Sequence, residues 1–441
     1  MEDLQRAFEA INGKRPYHEK KWQYYDGIQP LVYSTNRLKE VFKGINARFN
    51  QNWCAVVVDS VLDRLTLSGF TIAENTTAQL GIDEYWKANH MELDADDVHT
   101  ACQVTGEAFI IADKIDNVLE TYYNDPRLCA MFYKSDNPKQ KEFAAKWWVS
   151  DNGKNYMVLY YPDRIEKYVS DKNPSIWTSF TPDGEESITP NDFGKIPVFH
   201  FRNERRVIKS AINDAITIQD AVNKLFSDMM VAAEFGAYKQ RWAITNADIK
   251  TMKSRPGTIQ AFPPGDSDEQ DTEVGEFSAT DIGMYLDGID RLAKSLSIIT
   301  RIPKSYIMDS GAGVSGDALV AMEAPLVKKA KSYQSAYSVT WNEVATFILD
   351  NSGVAINEYD LNTRWDVVDS SQPFAQAQTL KMNWDAGIPV ITQLRRAGWD
   401  EAEIEQMLVD IKDAKSRDKV LSTLLLEQAR IDSEQDNNVT E

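Results

Sequence analysis

Two stretches of this chain, 210–235 and 281–300, each carry one apolar stripe at helical spacing, with an irregular segment between them. On the first, the stripe runs Ile212, Ala215, Ile216, Val222, Leu225, Phe226, Met229 and Ala233. On the second, it runs Ile282, Tyr285, Ile289, Leu292, Leu296 and Ile299. Apolar residues recurring every three to four positions line one helix face, and that face must be covered. The stripes are too extensive for one subunit to cover, which predicts side-by-side helices and packing between copies. The segment between them, Lys239–Thr280, holds Pro256-Gly257, Pro263-Pro264-Gly265 and two short apolar runs, so a small β-containing excursion is expected.

Upstream the pattern is mixed. Leu4, Ala7, Phe8 and Ile11 share a helical face that Gly13 is expected to end. Tyr24-Tyr25-Asp26-Gly27 reads as a turn, and Leu38, Val41, Phe42 and Ile45 mark another helix. Asn52–Leu65 reads as a buried helix followed by a strand over Thr66–Ile72. Helices are expected near 79–90 and 94–106, then a strand over Glu107–Asp113. From about Leu119 to Phe201 the period changes to two. Trp147-Trp148-Val149 and Tyr156–Tyr161 flank Asp151-Asn152-Gly153, a strong hairpin signal. Arg164–Val169, Ile176–Phe180 and Ile196–Phe201 add strands, making this a β-rich module.

Downstream, Asp317–Asp350 reads as one long helix with Pro325 inside it. That proline cannot donate to the carbonyl of Ala321 and clashes with it, so a kink is expected there. Three short helices follow Trp365. Residues 400–441 hold 12 acids and 5 bases, a net of −7, and 431–441 read as a disordered acidic tail.

Charge and composition exclude several classes. The 441 residues carry 48 Lys+Arg against 67 Asp+Glu, so the formal charge is 48 − 67 = −19. Tight nucleic-acid binding draws on basic surface that neutralises phosphates, so this balance argues against gripping DNA. At 43% apolar residues the chain is ordinarily globular, and its length suggests two to four domains. No apolar run is longer than six residues, as at Trp53–Val58, far short of the ~20 a membrane span needs. The acidic start, Met1-Glu2-Asp3-Leu4, has no basic or apolar leader, so no secretory signal is expected. Cys54, Cys102 and Cys129 are odd in number and scattered, which suits a reducing compartment rather than a disulfide framework or metal knuckle.

The most tempting motif is Gly311-Ala312-Gly313-Val314-Ser315-Gly316, a literal GxGxxG before a helix. A dinucleotide site needs a strand before the glycines and a second strand after the helix. Neither is present in the pattern, so a flexible loop joining two long helices is the better reading. His18, His90, His99 and His200 are far apart and belong to no ligand motif; His90 and His99 flank an expected helix start. No G-x-S-x-G elbow or Walker lysine motif occurs. Asp266–Asp290 holds nine acids and no base, which could hold magnesium but reads better as a solvated face. Lys20-Lys21-Trp22, Lys146-Trp147-Trp148 and Arg241-Trp242 could stack on bases, though buried aromatics beside snorkelling cations explain them better. No cofactor, metal or catalytic constellation is expected.

In order, the chain presents Asn52–Leu65, Gly194-Lys195-Ile196-Pro197-Val198, Asp220–Phe235, Gln240-Arg241-Trp242, Pro256–Pro263, Ser297–Pro303 and Gly313–Leu319. This succession resembles portal proteins of tailed bacteriophages, of the kind found in long-tailed siphophages, over nearly the whole length. The resemblance implies an α+β portal fold. Its parts would be an α/β wing over 1–205 (β-rich at 119–201) and a first stem helix over 206–235. A clip over 236–280 would carry Arg241, Trp242, Pro256, Gly257 and Phe262. The second stem helix would span 281–301, with Leu225, Phe226, Met229, Ile289, Leu292 and Leu296 packing the stem. A tunnel loop over 302–315 would include Met308, Asp309, Ser310, Gly311, Ala312, Gly313, Val314 and Ser315. A helix kinked at Pro325 and a return to the wing would fill 316–364, and a helical crown 365–430.

The resemblance further implies a ring, typically of twelve subunits, at one capsid vertex, conducting double-stranded DNA in packaging and ejection. Its implied partners are the terminase large subunit, a head–tail adaptor, and the major capsid and scaffolding proteins, with no membrane. It would be assembled in the host cytoplasm and reside in the virion, without enzymatic activity. Acidic character suits a channel that must not bind what it conducts. The competing expectations are a minor head or head–tail adaptor protein, or a metal- or nucleotide-dependent enzyme.

Overall fold

The computed structural model describes residues 2–30, 51–72, 75–115, 118–171, 177–180, 186–237, 241–244, 273–276, 281–308, 316–354, 356, 360–366, 368, 381–396, 404, 407–409 and 411–412. The expected helix around Leu38–Ile45 and the tail 431–441 lie outside them. The chain divides into two compact units, Met1–Trp365 and Asp366–Glu441.

The first unit opens with α1, Glu2–Tyr25, which corrects the expectation that Gly13 ends the helix. It runs through both Gly13 and Pro16. Interior glycine costs about 1 kcal/mol and proline about 3 kcal/mol in a helix, so tertiary burial must outweigh both. Leu4, Ala7 and Ile11 pack on Phe143, Trp147 and Met157, while His18, Lys21 and Tyr24 bury the second half. Three helices follow: α2 (Trp53–Leu62), α3 (Thr76–Ala88) and α4 (Met91–Thr105), with β1 (Leu67–Ile72) between the first two. His90 stands at the start of α4 with φ +52°, whereas His99 lies inside the helix rather than flanking its start.

The β-rich module forms two antiparallel sheets. In one, β2 (Glu107–Ile115) lies between β3 (Val118–Asn124) and β10 (Val198–Arg202). In the other, β4 (Cys129–Tyr133), β5 (Lys141–Val149), β6 (Asn155–Tyr160) and β7 (Arg164–Ser170) run in order, with β8 (Thr178–Ser179) and β9 (Ile188–Pro190) both on β7. The β5–β6 turn is the expected one: Gly153 has φ +78°, which a glycine adopts without steric cost. Phe109, Ile111, Ala144, Tyr160 and Val198 fill the space between the sheets. Gly106, between α4 and β2, has φ +104°, and an added Cβ would lie 2.8 Å from the Lys209 backbone. Only glycine fits there.

α5 (Ile216–Ala237) and α6 (Gly283–Thr300) are the two amphipathic helices. Residues 211–215 form a turn, so Ile212 is buried before the helix and not on it. Between them, β11 (Arg241–Ile244) pairs with β12 (Glu273–Glu276), the β-containing excursion. α7, Gly316–Asn351, then crosses the core and leads to β13 (Leu361–Trp365), which pairs with β1. Tyr337, Trp341, Val344, Ile348 and Leu349 of α7 are fully buried against α3, α4 and β10. In the second unit, residues 381–385 and α8 (Val390–Arg396) are helical, as are 404, 407–409 and 411–412. No helix among the described residues is long and apolar enough to cross a membrane.

Candidate functional site

α5 and α6 pack side by side, and their buried faces follow the sequence stripes. Ile289, Ala293 and Leu296 are buried, while Leu225, Phe226 and Leu292 are half-buried against the same core. Met229 is half-buried. At Gly288 an added Cβ would meet Leu225 Cδ1 at 3.3 Å. The stripe on α6 is not wholly covered, however. Ile299 is 52% exposed, and so are Met284 at 63%, Leu286 at 52% and Ile298 at 69%. Four large apolar side chains on one 18-residue helix are therefore exposed in the isolated chain, and Met284, Ile298 and Ile299 share the face away from the buried one.

α5 is anchored to the core by amide side chains. Gln219 Oε1 accepts from the Trp53 and Cys54 amides at 2.8 and 3.2 Å, satisfying donors at the start of α2 that the helix itself cannot pair. Its Nε2 donates to Asn223 Oδ1 at 3.0 Å, and the same oxygen accepts from the Gln51 amide at 3.1 Å. Tyr24 donates to Asp220 at 2.9 Å, tying α1 to α5 as well. The two segments that most strongly marked the sequence, 52–65 and 220–235, are thus locked together.

α6 ends at Arg301, which takes φ +61° while its amide bonds to Ser297. A short 3-10 turn follows, Lys304–Tyr306. Lys304 reaches back to Asp290 at 2.5 Å, and Lys329 of α7 donates to the Thr300 carbonyl at 3.1 Å. Burial pulls the Lys329 ammonium down to about 8. Tyr306 donates to Glu323 Oε1 at 2.7 Å, and Arg64 donates to the Tyr306 hydroxyl at 2.9 Å and to Glu323 Oε2 at 3.3 Å. Gln334 holds the Arg64 carbonyl at 3.0 Å. One arginine at the end of α2 therefore fixes both the residues before position 309 and the first turns of α7.

Of the tunnel-loop positions, Met308 packs against the core, and Asp309–Ser315, with them the glycine motif, lie outside the described residues. Pro325 lies on the exposed side of α7, which is assigned as one helix across it, next to the fully buried Leu326. Leu319, Val320 and Met322, just before it, are exposed. In the excursion, Arg241 faces Glu276 and Trp242 faces Gly275 across the β11–β12 ladder, while Pro256, Gly257 and Phe262 lie outside the described residues.

The structure also assembles a cluster with no local signature. Glu107, 1% exposed, meets Lys14 at 2.5 Å, His18 at 3.1 Å and His200 at 2.8 Å. Burial alone would raise its carboxyl; the Lys14 ammonium and the two imidazole hydrogen bonds outweigh that and hold it well below the usual carboxylate range. The only hint in sequence is polar residues within apolar strands, Glu107 before Ala108–Ala112 and His200 within Val198–Phe201. Among the described residues no group of histidines, cysteines and carboxylates has metal-holding geometry.

The family model described as "Phage portal protein, SPP1 Gp6-like" matches residues 8–415. The chain belongs to this phage portal protein family. Two curated portal proteins, from Mycobacterium phage L5 and Mycobacterium phage D29, are each 22% identical over 383 residues, covering 79% of this chain and 76% of theirs. A solved structure titled "Neck of empty GTA particle computed with C6 symmetry" aligns with a TM-score of 0.47 at 12% identity, covering 80% of this chain and 90% of that one. The portal family is a structural one. Its members are components of the phage particle that serve as head–tail connectors, and this portal chain has the mixed helix-and-sheet architecture expected of it.

Proposed function

We propose that the portal chain closes into a ring, typically of twelve subunits, at one capsid vertex, and conducts double-stranded DNA during packaging and ejection. In this reading 1–205 form the wing, α5 and α6 the stem, 236–280 the clip, 302–315 the tunnel loop, and 365–430 the crown. α7 from Gly316 is kinked at Pro325, because the Ala321 carbonyl has no amide to accept from there.

The observation that carries this is the outer face of α6. Met284, Ile298 and Ile299 share that face and are more than half exposed, while the opposite face is already buried on α5. Covering side chains of this size is worth about 1.5–3 kcal/mol each, which favours a neighbouring copy of the same helix pair. The net charge of −19 fits a conduit: a wall that neutralised many phosphates would hold DNA, whereas a like-charged one lets it slide.

The ring would dock the terminase large subunit and a head–tail adaptor, and would be set among the major capsid and scaffolding proteins during assembly in the host cytoplasm. Its role is mechanical, with no catalytic step. Negative-stain imaging and light scattering of the purified protein test the reading. Rings with a central hole support it; a strict monomer at every protein and salt concentration overturns it.

A further inference from the structure

The tripeptide Asn-Gly-Lys occurs twice in this chain, at 12–14 and at 152–154, and nowhere else is an asparagine followed by glycine. Both asparagines are exposed. What differs is the backbone. Asn12 and Gly13 lie inside α1, whereas Asn152 and Gly153 lie in the turn between β5 and β6.

The pair has a chemistry of its own. Glycine has no Cβ to shield its amide nitrogen, so that nitrogen can close a five-membered ring on Cγ of the preceding asparagine. In α1 the helical pattern commits the Gly13 amide to the Glu9 carbonyl and points it along the axis. Pro16 takes away the partner of the Asn12 carbonyl but leaves that bond in place. Freeing Gly13 means opening a helix that Leu4, Ala7 and Ile11 hold on one core and Tyr24 on another.

The turn is built the other way. Gly153 has φ +78°, and an added Cβ would meet nothing within 4 Å, so its peptide borders open space. Asn152 Oδ1 accepts from the Lys154 amide at 2.9 Å, an Asx turn that folds Cγ back over the Gly153 peptide. The same hydrogen bond draws electrons from Cγ, the atom to be attacked. The Gly153 amide donates to the Ser150 carbonyl at 2.8 Å, in a tip where Asp151, Asn152 and Lys154 are exposed. Local opening is cheapest at such tips.

We propose that Asn152 is a site of spontaneous deamidation, with water as the co-reactant, and that the fold spares Asn12. Hydroxide takes the Gly153 amide proton, and the nitrogen bonds to Asn152 Cγ. Nδ2 leaves as ammonia with a proton from water, which regenerates the hydroxide and gives a succinimide. A second water opens the imide. Cleavage at Cγ yields aspartate; cleavage at the backbone carbonyl yields isoaspartate, whose main chain runs through Cβ and Cγ. Either product adds a negative charge, and isoaspartate lengthens the turn that brings Val149 opposite Asn155. The reaction needs nothing from α5 or α6, so it stands or falls independently of the ring.

The test holds the full-length folded protein in mildly alkaline buffer at physiological temperature, beside the same chain unfolded in guanidinium chloride. Trypsin then releases the two sites as Ala7–Lys14 and Trp147–Lys154, read by mass spectrometry and by isoaspartyl methyltransferase labelling. In the folded protein, aspartate and isoaspartate should accumulate at 152, faster as pH rises, while asparagine is retained at 12. In guanidinium chloride both sites should react, because the tripeptide is the same. Asn152→Gln should abolish the methyltransferase signal of the folded protein, since its ring would need an extra carbon. Equal loss of asparagine at both sites of the folded protein overturns the proposal. So does asparagine retained at 152 in the folded protein while it is lost in guanidinium chloride.

Discussion

Glu107 and His200, on adjacent antiparallel strands, meet at 2.8 Å in the buried interior, Oε2 to Nε2. An ionised carboxylate can only accept, so Nε2 carries the proton and Nδ1 is left to pair with the Tyr133 hydroxyl at 3.1 Å. The imidazole is neutral, because burial lowers it to about 4 despite the hydrogen bond to Glu107, which raises it. His99, buried against Trp341 and Tyr337, is likewise lowered to about 3.

Both histidines have folded values below the unfolded 6.5, so the unfolded chain takes up protons first as pH falls. Stability should be full above about 6.5 and decline toward 4, by about 1.4 kcal/mol per pH unit for each histidine within the window. The depressed Glu107 acts in the same sense, losing its contribution only below the unfolded value of 4.5. Urea unfolding between pH 7 and 5 should show this slope, and His200→Gln should reduce it. A flat profile would refute the assignment of neutral buried imidazoles.

The two faces of α6 should respond oppositely. Leu296→Ala empties a fully buried site and should cost about 2–5 kcal/mol in the unfolding of the isolated chain. Met284→Asp with Ile298→Asp alters only exposed positions and should leave that stability within about 0.5 kcal/mol, yet abolish rings in negative stain. Phe226→Asp, half-buried against the core, should fail on both counts. Intact rings from the double aspartate variant would remove α6 from the subunit interface.

Local patterns were enough wherever one short motif decides the backbone. Asp151-Asn152-Gly153 specified its hairpin, and the α5 and α6 stripes specified which sides are buried. The excess of apolar residues on α6 was legible as well, since Ile282 and Ile299 were read on the stripe yet remain 39% and 52% exposed. Gly13 misled because propensity is a few kcal/mol at most and α1 is held by two separate cores. Glu107 with Lys14, His18 and His200 left only the hint of polar residues in apolar strands, because three distant segments supply one charge cluster and no spacing records it. Arg64, Tyr306 and Glu323 escaped for the same reason: they meet across some 260 positions of chain.

That trio should control order at both ends of segment 309–315. Tyr306→Phe removes one hydroxyl that both donates to Glu323 and accepts from Arg64, and should cost about 1 kcal/mol. Arg64→Met takes the guanidinium away from Glu323, only 16% exposed, and should cost about 3–5 kcal/mol. Hydrogen exchange should accelerate at 302–308 and 316–324 in both variants, more in the second. Unchanged protection there would show that packing of Met308 alone holds the segment.

The glycine motif separates the channel from a nucleotide site most sharply. If Gly311–Gly316 cradled a pyrophosphate, its amides would be preorganised at the start of α7, and NAD or ATP at 100 times the dissociation constant would add about 2.7 kcal/mol. That is easily seen as a raised melting temperature. For a tunnel loop no nucleotide should shift melting, and three glycines in six residues serve mobility, leaving the backbone free to visit positive φ. Gly311→Pro with Gly313→Pro should then leave rings intact in negative stain but reduce the DNA packaged or retained per particle. A reproducible thermal shift with any dinucleotide, or normal packaging by the double proline variant, would overturn the tunnel-loop assignment.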